Sequence, residues 1–150
     1  MKLLKPYEDI NETMRYVKVQ IVDSIPFALK TCPEFDSPRE LFYWLKDQVE
    51  YQEDPPGYEL LQTMQTLFRT GYGDCDCFTI AAVACMIANN WDNISIDLVG
   101  RSKLAPVHIY SDIIWQGERC VLDLTNFDYD QERDGYKYIQ RLPVNWRQWK

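Results

Sequence analysis

The chain has 150 residues, 46% hydrophobic and 26% charged, the composition of one globular domain able to bury its own core. Sixteen Lys and Arg against 23 Asp and Glu leave a net charge of −7, and no basic cluster offsets it, which argues against a nucleic-acid partner. No apolar run approaches the ~18 residues of a membrane span, and Met1-Lys2-Leu3-Leu4-Lys5 turns polar too early for a secretory leader.

The expectation is therefore a protein that stays where it is made, with no membrane partner: cytoplasmic, or in a virion if phage-encoded. The five cysteines are Cys32, Cys75, Cys77, Cys85 and Cys120. An odd count without a leader points to reduced thiols, which serve as core residues, metal ligands or nucleophiles. His108 is the single histidine, so imidazole chemistry has one candidate.

In chain order, Ile10, Met14, Val17, Ile21 and Ile25 recur at helical spacing, and Pro26 is expected to end or kink that helix. Ser37-Pro38-Arg39-Glu40 is a helix start with a capping serine, a first-turn proline and a capping-box glutamate. Leu41, Phe42, Leu45 and Val49 then face inward. Asp54-Pro55-Pro56-Gly57 breaks the chain. A third helix is expected from about Tyr58 to Phe68, closed by Gly71 and Gly73. A fourth begins near Cys75 and is apolar all round from Thr79 to Ala88, which places it mid-domain.

The second half reads as strands. Ile94, Ile96 and Leu98 alternate with polar residues, Val107 to Trp115 is β-rich, and Gln116-Gly117-Glu118 is a hairpin turn before Cys120 to Leu124. Tyr136 to Pro143 suits one more strand. Helices first and an antiparallel sheet afterwards make an α+β fold. The expected organisation is a single domain: a helical extension over 1–36, a core over 37–127, and a C-terminal strand and tail over 128–150.

One constellation carries chemistry. Gly71-Tyr72-Gly73-Asp74 delivers Cys75 to the first turn of the buried helix, His108 heads a strand, and Asp123 ends the next. Pairing about the predicted turn sets His108 and Asp123 facing each other across the ladder. A thiolate is the nucleophile a thiol is not, and unpaired N–H groups at a helix start favour it. A histidine can take the thiol proton while a carboxylate fixes its tautomer. The same N–H groups can hold an oxyanion. Asp74 and Asp76 oppose the helix end electrostatically, so His108 is expected to supply most of the activation and to bring the thiol below its free value.

At these residues the sequence resembles the transglutaminase-like superfamily, in bacterial or phage-type form. The resemblance lies in Gly73-Asp74-Cys75-Asp76-Cys77-Phe78-Thr79, the apolar helix, His108 at a strand head and Leu122-Asp123-Leu124-Thr125, and covers roughly residues 40–127. It implies a papain-like core, Cys75 as nucleophile, His108 as general base and acid, and Asp123 as the orienting carboxylate. It also implies acyl transfer on amide bonds through a thioester, with no cofactor and a protein or peptide substrate. The sequence departs from the family pattern at Cys77, where an aspartate is usual, at Ile109 and at Leu124.

Other readings stand beside this one. Trp44, Tyr51, Tyr72 and Trp91 are core or cleft wall, any of which can supply a donor near the oxyanion, and Trp44, Tyr51, Tyr72, Asp74 and Asp76 are candidate substrate contacts. Cys75, Cys77, Cys120 and His108 would in principle make a zinc site, although Cys-x-Cys is not the usual spacing. Asp128, Asp130, Glu132, Asp134 and Gly135 hint at calcium, but an EF-hand loop from Asp130 would need an acid where Arg141 stands. Cys85 and Cys32 read as packing thiols. The competing class is a non-catalytic binding or structural module, and the Trp146-Arg147-Gln148-Trp149 tail suits an interaction surface.

Overall fold

The computed structural model describes residues 2–6, 10–55, 58–102, 105–132, 135–136 and 138–149. Strand β1 (Lys2–Pro6) precedes the long helix α1 (Ile10–Thr31) and helix α2 (Pro38–Gln48). Two short strands follow, β2 (Glu50–Tyr51) and β3 (Tyr58–Gln62), then α3 (Met64–Thr70), β4 (Tyr72–Gly73) and the central helix α4 (Cys75–Ala88). The second half is β5 (Ile94–Ser102), β6 (Ala105–Trp115), β7 (Glu118–Leu122) and β8 (Tyr138–Pro143), closed by a 3-10 turn at Trp146–Trp149. The four-stranded antiparallel sheet has the order β7-β6-β5-β8. The α+β class is as the sequence indicates.

Helix α4 is buried at every residue from Asp76 to Ile87. It lies between α1, α2 and α3 on one side and the inner face of the sheet on the other. Val17, Ile21 and Ala28 of α1, Phe42 and Leu45 of α2, and Ile109 and Ile113 of β6 complete one core around it. The opposite sheet face carries a second cluster of Val99, Tyr110 and Val121 with Tyr136 against it.

Two sequence expectations need correction. Pro26 does not end α1, which runs on to Thr31. Pro26 is exposed while Ile25 and Ala28 are buried, so the backbone group it leaves unpaired faces solvent and core packing carries the helix past it. The second correction is at Tyr58–Gln62, which is not helical but pairs antiparallel with β1, Lys2 opposite Gln62 and Pro6 opposite Tyr58. The helix starts only after Thr63, whose backbone is extended (φ −63°, ψ 160°). Tertiary pairing overrides a helical apolar pattern here. Pro56 and Gly57 of the expected chain break lie outside the described residues, as does Asp134.

The α2 cap forms as expected: Ser37 Oγ accepts from the Glu40 N–H at 3.4 Å, while Glu40 Oε2 accepts from the Asp36 N–H at 2.9 Å. Two exposed residues of the acidic stretch, Asp130 and Glu132, hold structure. Asp130 Oδ1 accepts from the Val121 N–H at 2.8 Å, and Glu132 pairs with Arg119 and with the Tyr110 hydroxyl. Arg119 and Arg141 also reach the buried carboxylates of Asp97 and Asp112. Burial and the neighbouring Asp112 raise Asp97 to about 8, against the two arginines.

Candidate active site

The loop before α4 is shaped by two glycines. Gly71 closes α3 in the left-handed region (φ 82°), and its N–H reaches Leu67 O. At Gly73 a Cβ would stand 2.7 Å from Cys77 Cβ and 2.8 Å from Leu67 Cδ1, so only glycine lets β4 pass this close to α4. Asp74 then caps the helix, its Oδ1 accepting from the Asp76 N–H at 3.1 Å. Cys75 is the first helical residue.

Strand alternation explains where the thiol sits. Gln116 and Gly117 both have positive φ (53° and 82°) and make a two-residue hairpin with Trp115 opposite Glu118. The pair flanking such a turn exchanges hydrogen bonds, so the backbone groups of Trp115, Ile113 and Ser111 point to β7. Those of Ile109 point the same way. But β7 ends at Leu122, opposite Ser111, and leaves the Ile109 edge without a strand. Helix α4 takes that place: the Ile109 N–H bonds to Cys75 Sγ, and Ile109 O accepts from Thr79 Oγ1 at 3.4 Å. The sulfur therefore lies close to the Ile109 backbone, at the opened edge of β6.

His108, the residue before, points to the outer face. Its ring stacks on Tyr136 at 6.2 Å between centroids and lies 5.6 Å from the Tyr110 ring. His108 Nε2 is 2.6 Å from Asp123 Oδ2. The ladder register places Leu122 opposite Ser111, so continuing it sets Thr125, not Asp123, opposite His108. The sequence expectation is off by two residues. An even slip keeps the same sheet face, so His108 and Asp123 meet diagonally. No hydrogen bond joins Cys75 Sγ to the His108 ring among the described residues.

The carboxylate is itself held. Asp123 Oδ1 accepts from the Thr125 hydroxyl at 2.6 Å and from the Thr125 N–H at 3.1 Å. Lys46 Nζ, reaching across from α2, donates to Leu124 O at 3.0 Å and Asn126 O at 2.9 Å. Burial alone would raise Asp123, but the His108 and Thr125 contacts bring it below its ordinary value. Burial lowers Lys46, with the Asp123 charge opposing. Nothing local in the sequence marks Lys46, since its partners are 78 and 80 residues away.

The electrostatics of the thiol correct the sequence reading. Burial raises Cys75 well above its free value, and Asp76, Asp74 and Asp123 add to this, while the Ile109 N–H opposes them. Asp74 is itself raised to about 10, by burial first, then by the Asp76 charge and its contact with Asp54. At neutral pH Asp74 is thus protonated. Nearby, Asp54 Oδ2 accepts from the Leu60 N–H at 2.9 Å, and its Oδ1 is buried.

Of the aromatic candidates, Tyr51 and Tyr72 stand beside this loop on the paired strands β2 and β4, 52% and 49% exposed. Trp44 lies among Phe35 and Phe68, and Trp91 packs against Trp115 with the rings tilted at 58°, at the far end of α4. The four proposed zinc ligands do not converge. Among the described residues the cluster containing Cys75 is Asp74, Cys75 and Asp76, and Cys77 Sγ instead donates to Leu60 O at 3.0 Å. No described helix is long and apolar enough to cross a membrane.

No protein-family model matches the sequence, and no curated protein matches it. Solved structures do match. Legionella pneumophila LapG superposes with a TM-score of 0.52 at 14% identity, over 83% of this chain and 77% of LapG. The EGTA-treated form of LapG gives 0.53 at 14% identity, over 94% and 88%. At that identity the likeness is one of fold, and the chain has the papain-like, transglutaminase-like fold of these structures.

Proposed function

We propose that this protein is a cysteine-dependent acyl transferase that cleaves amide bonds, with Cys75 as nucleophile, His108 as general base and acid, and Asp123 as its orienting carboxylate. The observation that carries the reading is the 2.6 Å His108–Asp123 bond at the opened strand edge that also receives Cys75 Sγ. With Nε2 committed to Asp123, Nδ1 is the nitrogen left for the thiol. His108 takes the thiol proton as the sulfur attacks the carbonyl. The tetrahedral oxyanion takes backbone N–H groups of the first turn of α4. His108 then returns the proton to the departing amine, leaving a thioester that water or a second amine resolves.

Peptide or protein is the proposed substrate class, since the fold is of the cysteine-peptidase type and Tyr51 and Tyr72 present open aromatic surface beside the nucleophile. The test is turnover of a mixed protein digest followed by mass spectrometry. New termini or new isopeptide bonds, absent with Cys75→Ala, support the reading and separate hydrolysis from transfer to an amine. An equal product spectrum from the Cys75→Ala protein would return the molecule to the class of binding modules.

A further inference from the structure

We propose that Cys32 and Cys85 form a site of oxidative cross-linking, closing to an intramolecular disulfide that clasps the end of α1 to the central helix. The two sulfurs are 2.7 Å apart, well inside the ~3.5–4.0 Å at which non-bonded heavy atoms pack. They are also further apart than the ~2.05 Å of a disulfide bond, so only a small approach separates contact from bond. Both cysteines are free. Cys85 is fully buried on α4, with Met64 Sδ 3.7 Å away, while Cys32 is half-exposed just past α1.

The surrounding chain holds this approach in place. Cys32 N–H bonds to Ala28 O at 2.8 Å, extending α1 by its last hydrogen bond. The next residues run along the last turn of α4. The Phe35 N–H donates to Asn89 Oδ1 at 3.0 Å, and Asn89 Nδ2 donates to Pro33 O at 3.4 Å and to Cys85 O at 3.0 Å. The site lies ten residues along α4 from Cys75 and belongs to a different end of the molecule.

The chemistry is thiol–disulfide exchange. The Cys32 thiolate, its proton released to solvent, attacks a small disulfide such as oxidised glutathione and expels one glutathione thiolate. The Cys85 sulfur, losing its proton in turn, attacks Cys32 Sγ and expels the second. The two protein thiols are oxidised by two electrons and one glutathione disulfide is reduced to two thiols. Half-exposure makes Cys32 the attacking sulfur, and burial makes Cys85 the resolving one.

The cross-link spans 53 residues of sequence, a long loop whose closure restricts the unfolded chain. The test is incubation of the full-length protein with oxidised glutathione, alkylation of the remaining thiols, and peptide mapping without reductant. The expected result is a Cys32–Cys85 peptide pair, a protein mass lower by two hydrogens, and a Tm raised by about 5–15 °C that dithiothreitol reverses. Cys32→Ser, at a half-exposed position, should fold, lose both the pair and the Tm rise, and keep Cys75 open to alkylation. A glutathione adduct that persists on Cys32, a bond joining any other two cysteines, or both thiols left unreacted would overturn the proposal. None of these outcomes bears on the role of Cys75.

Discussion

Asp123 holds His108 by one oxygen and Thr125 by the other: Oδ2 is 2.6 Å from His108 Nε2, and Oδ1 takes the Thr125 hydroxyl at 2.6 Å. One carboxylate oxygen therefore orients the ring while the other fixes the carboxylate. Asp123→Asn replaces one oxygen by a donor, and the imidazole must turn or change tautomer. Turnover should fall by about 10²–10⁴-fold with KM little changed, as steady-state kinetics on a peptide substrate would reveal. Equal kcat in the variant would remove Asp123 from the mechanism.

The same carboxylate has a signature in acid. Its folded pKa lies below the ordinary value, so its contribution to stability is present above ~3.9, the unfolded value, and is lost as pH falls through the folded one. Thermal melts of the wild type should therefore drop more steeply below pH 4 than those of Asp123→Asn. Parallel acid limbs would contradict this.

Asp74 behaves in the opposite sense. Its folded value of about 10 lies above the unfolded ~3.9, so the unfolded state sheds a proton that the folded state keeps. Its contribution to stability is fully present below ~3.9 and declines as pH rises toward the folded value. Asparagine reproduces the protonated form: its oxygen can cap Asp76 and its amide can donate to Asp54. Asp74→Asn should raise Tm at pH 7–8 and leave it unchanged near pH 4. It should also leave the alkylation profile of Cys75 nearly unmoved at neutral pH, whereas Asp76→Asn should shift the profile to lower pH. Reversal of that order would place the proton elsewhere.

Lys46 is a positioning residue. It ties the carbonyls on either side of Thr125 to α2, and hydrogen bonds to a charged donor contribute about 1.5–3 kcal/mol. Lys46→Met should lower both Tm and kcat while leaving KM close to wild type, and Lys46→Arg should recover part of each. If kcat survives in a destabilised Lys46→Met, the loop does not depend on this tie.

Gly73→Ala tests the approach of β4 to α4. A Cβ at 2.7 and 2.8 Å from its neighbours forces a shift of backbone, at a cost of about 1–3 kcal/mol. Denaturant titration should show a lower midpoint, with a change in Cys75 alkylation because the nucleophile sits two residues on. A variant as stable as wild type would mean that the loop has slack.

The parts of this molecule legible in the sequence are those written by local pattern. Ser37 to Glu40 marks a helix start, the unbroken apolar run from Thr79 places α4 in the middle, and Gln116-Gly117 marks the hairpin. The β-strand period of two made the His108–Asp123 pairing robust even to a misjudged register. What escaped is non-local. Strand β3 needs β1, whose paired residues lie more than fifty positions away. The tie from Lys46 and the contact of Cys32 with Cys85 have no local signal. The state of the thiol also depended on burial, which composition does not reveal, and burial with the Asp76 and Asp123 carboxylates opposes the helix end.

The central claim is that His108 activates Cys75. The direct measurement is the rate at which a peptide bearing a carbonyl-like electrophile labels the protein, with the modified residue mapped among the five cysteines in wild type and in His108→Ala. The account predicts labelling confined to Cys75 at pH 7, slowed by about 10²–10⁴-fold in His108→Ala. Labelling spread over Cys32 and Cys120, or a rate at Cys75 unchanged by His108→Ala, would contradict it.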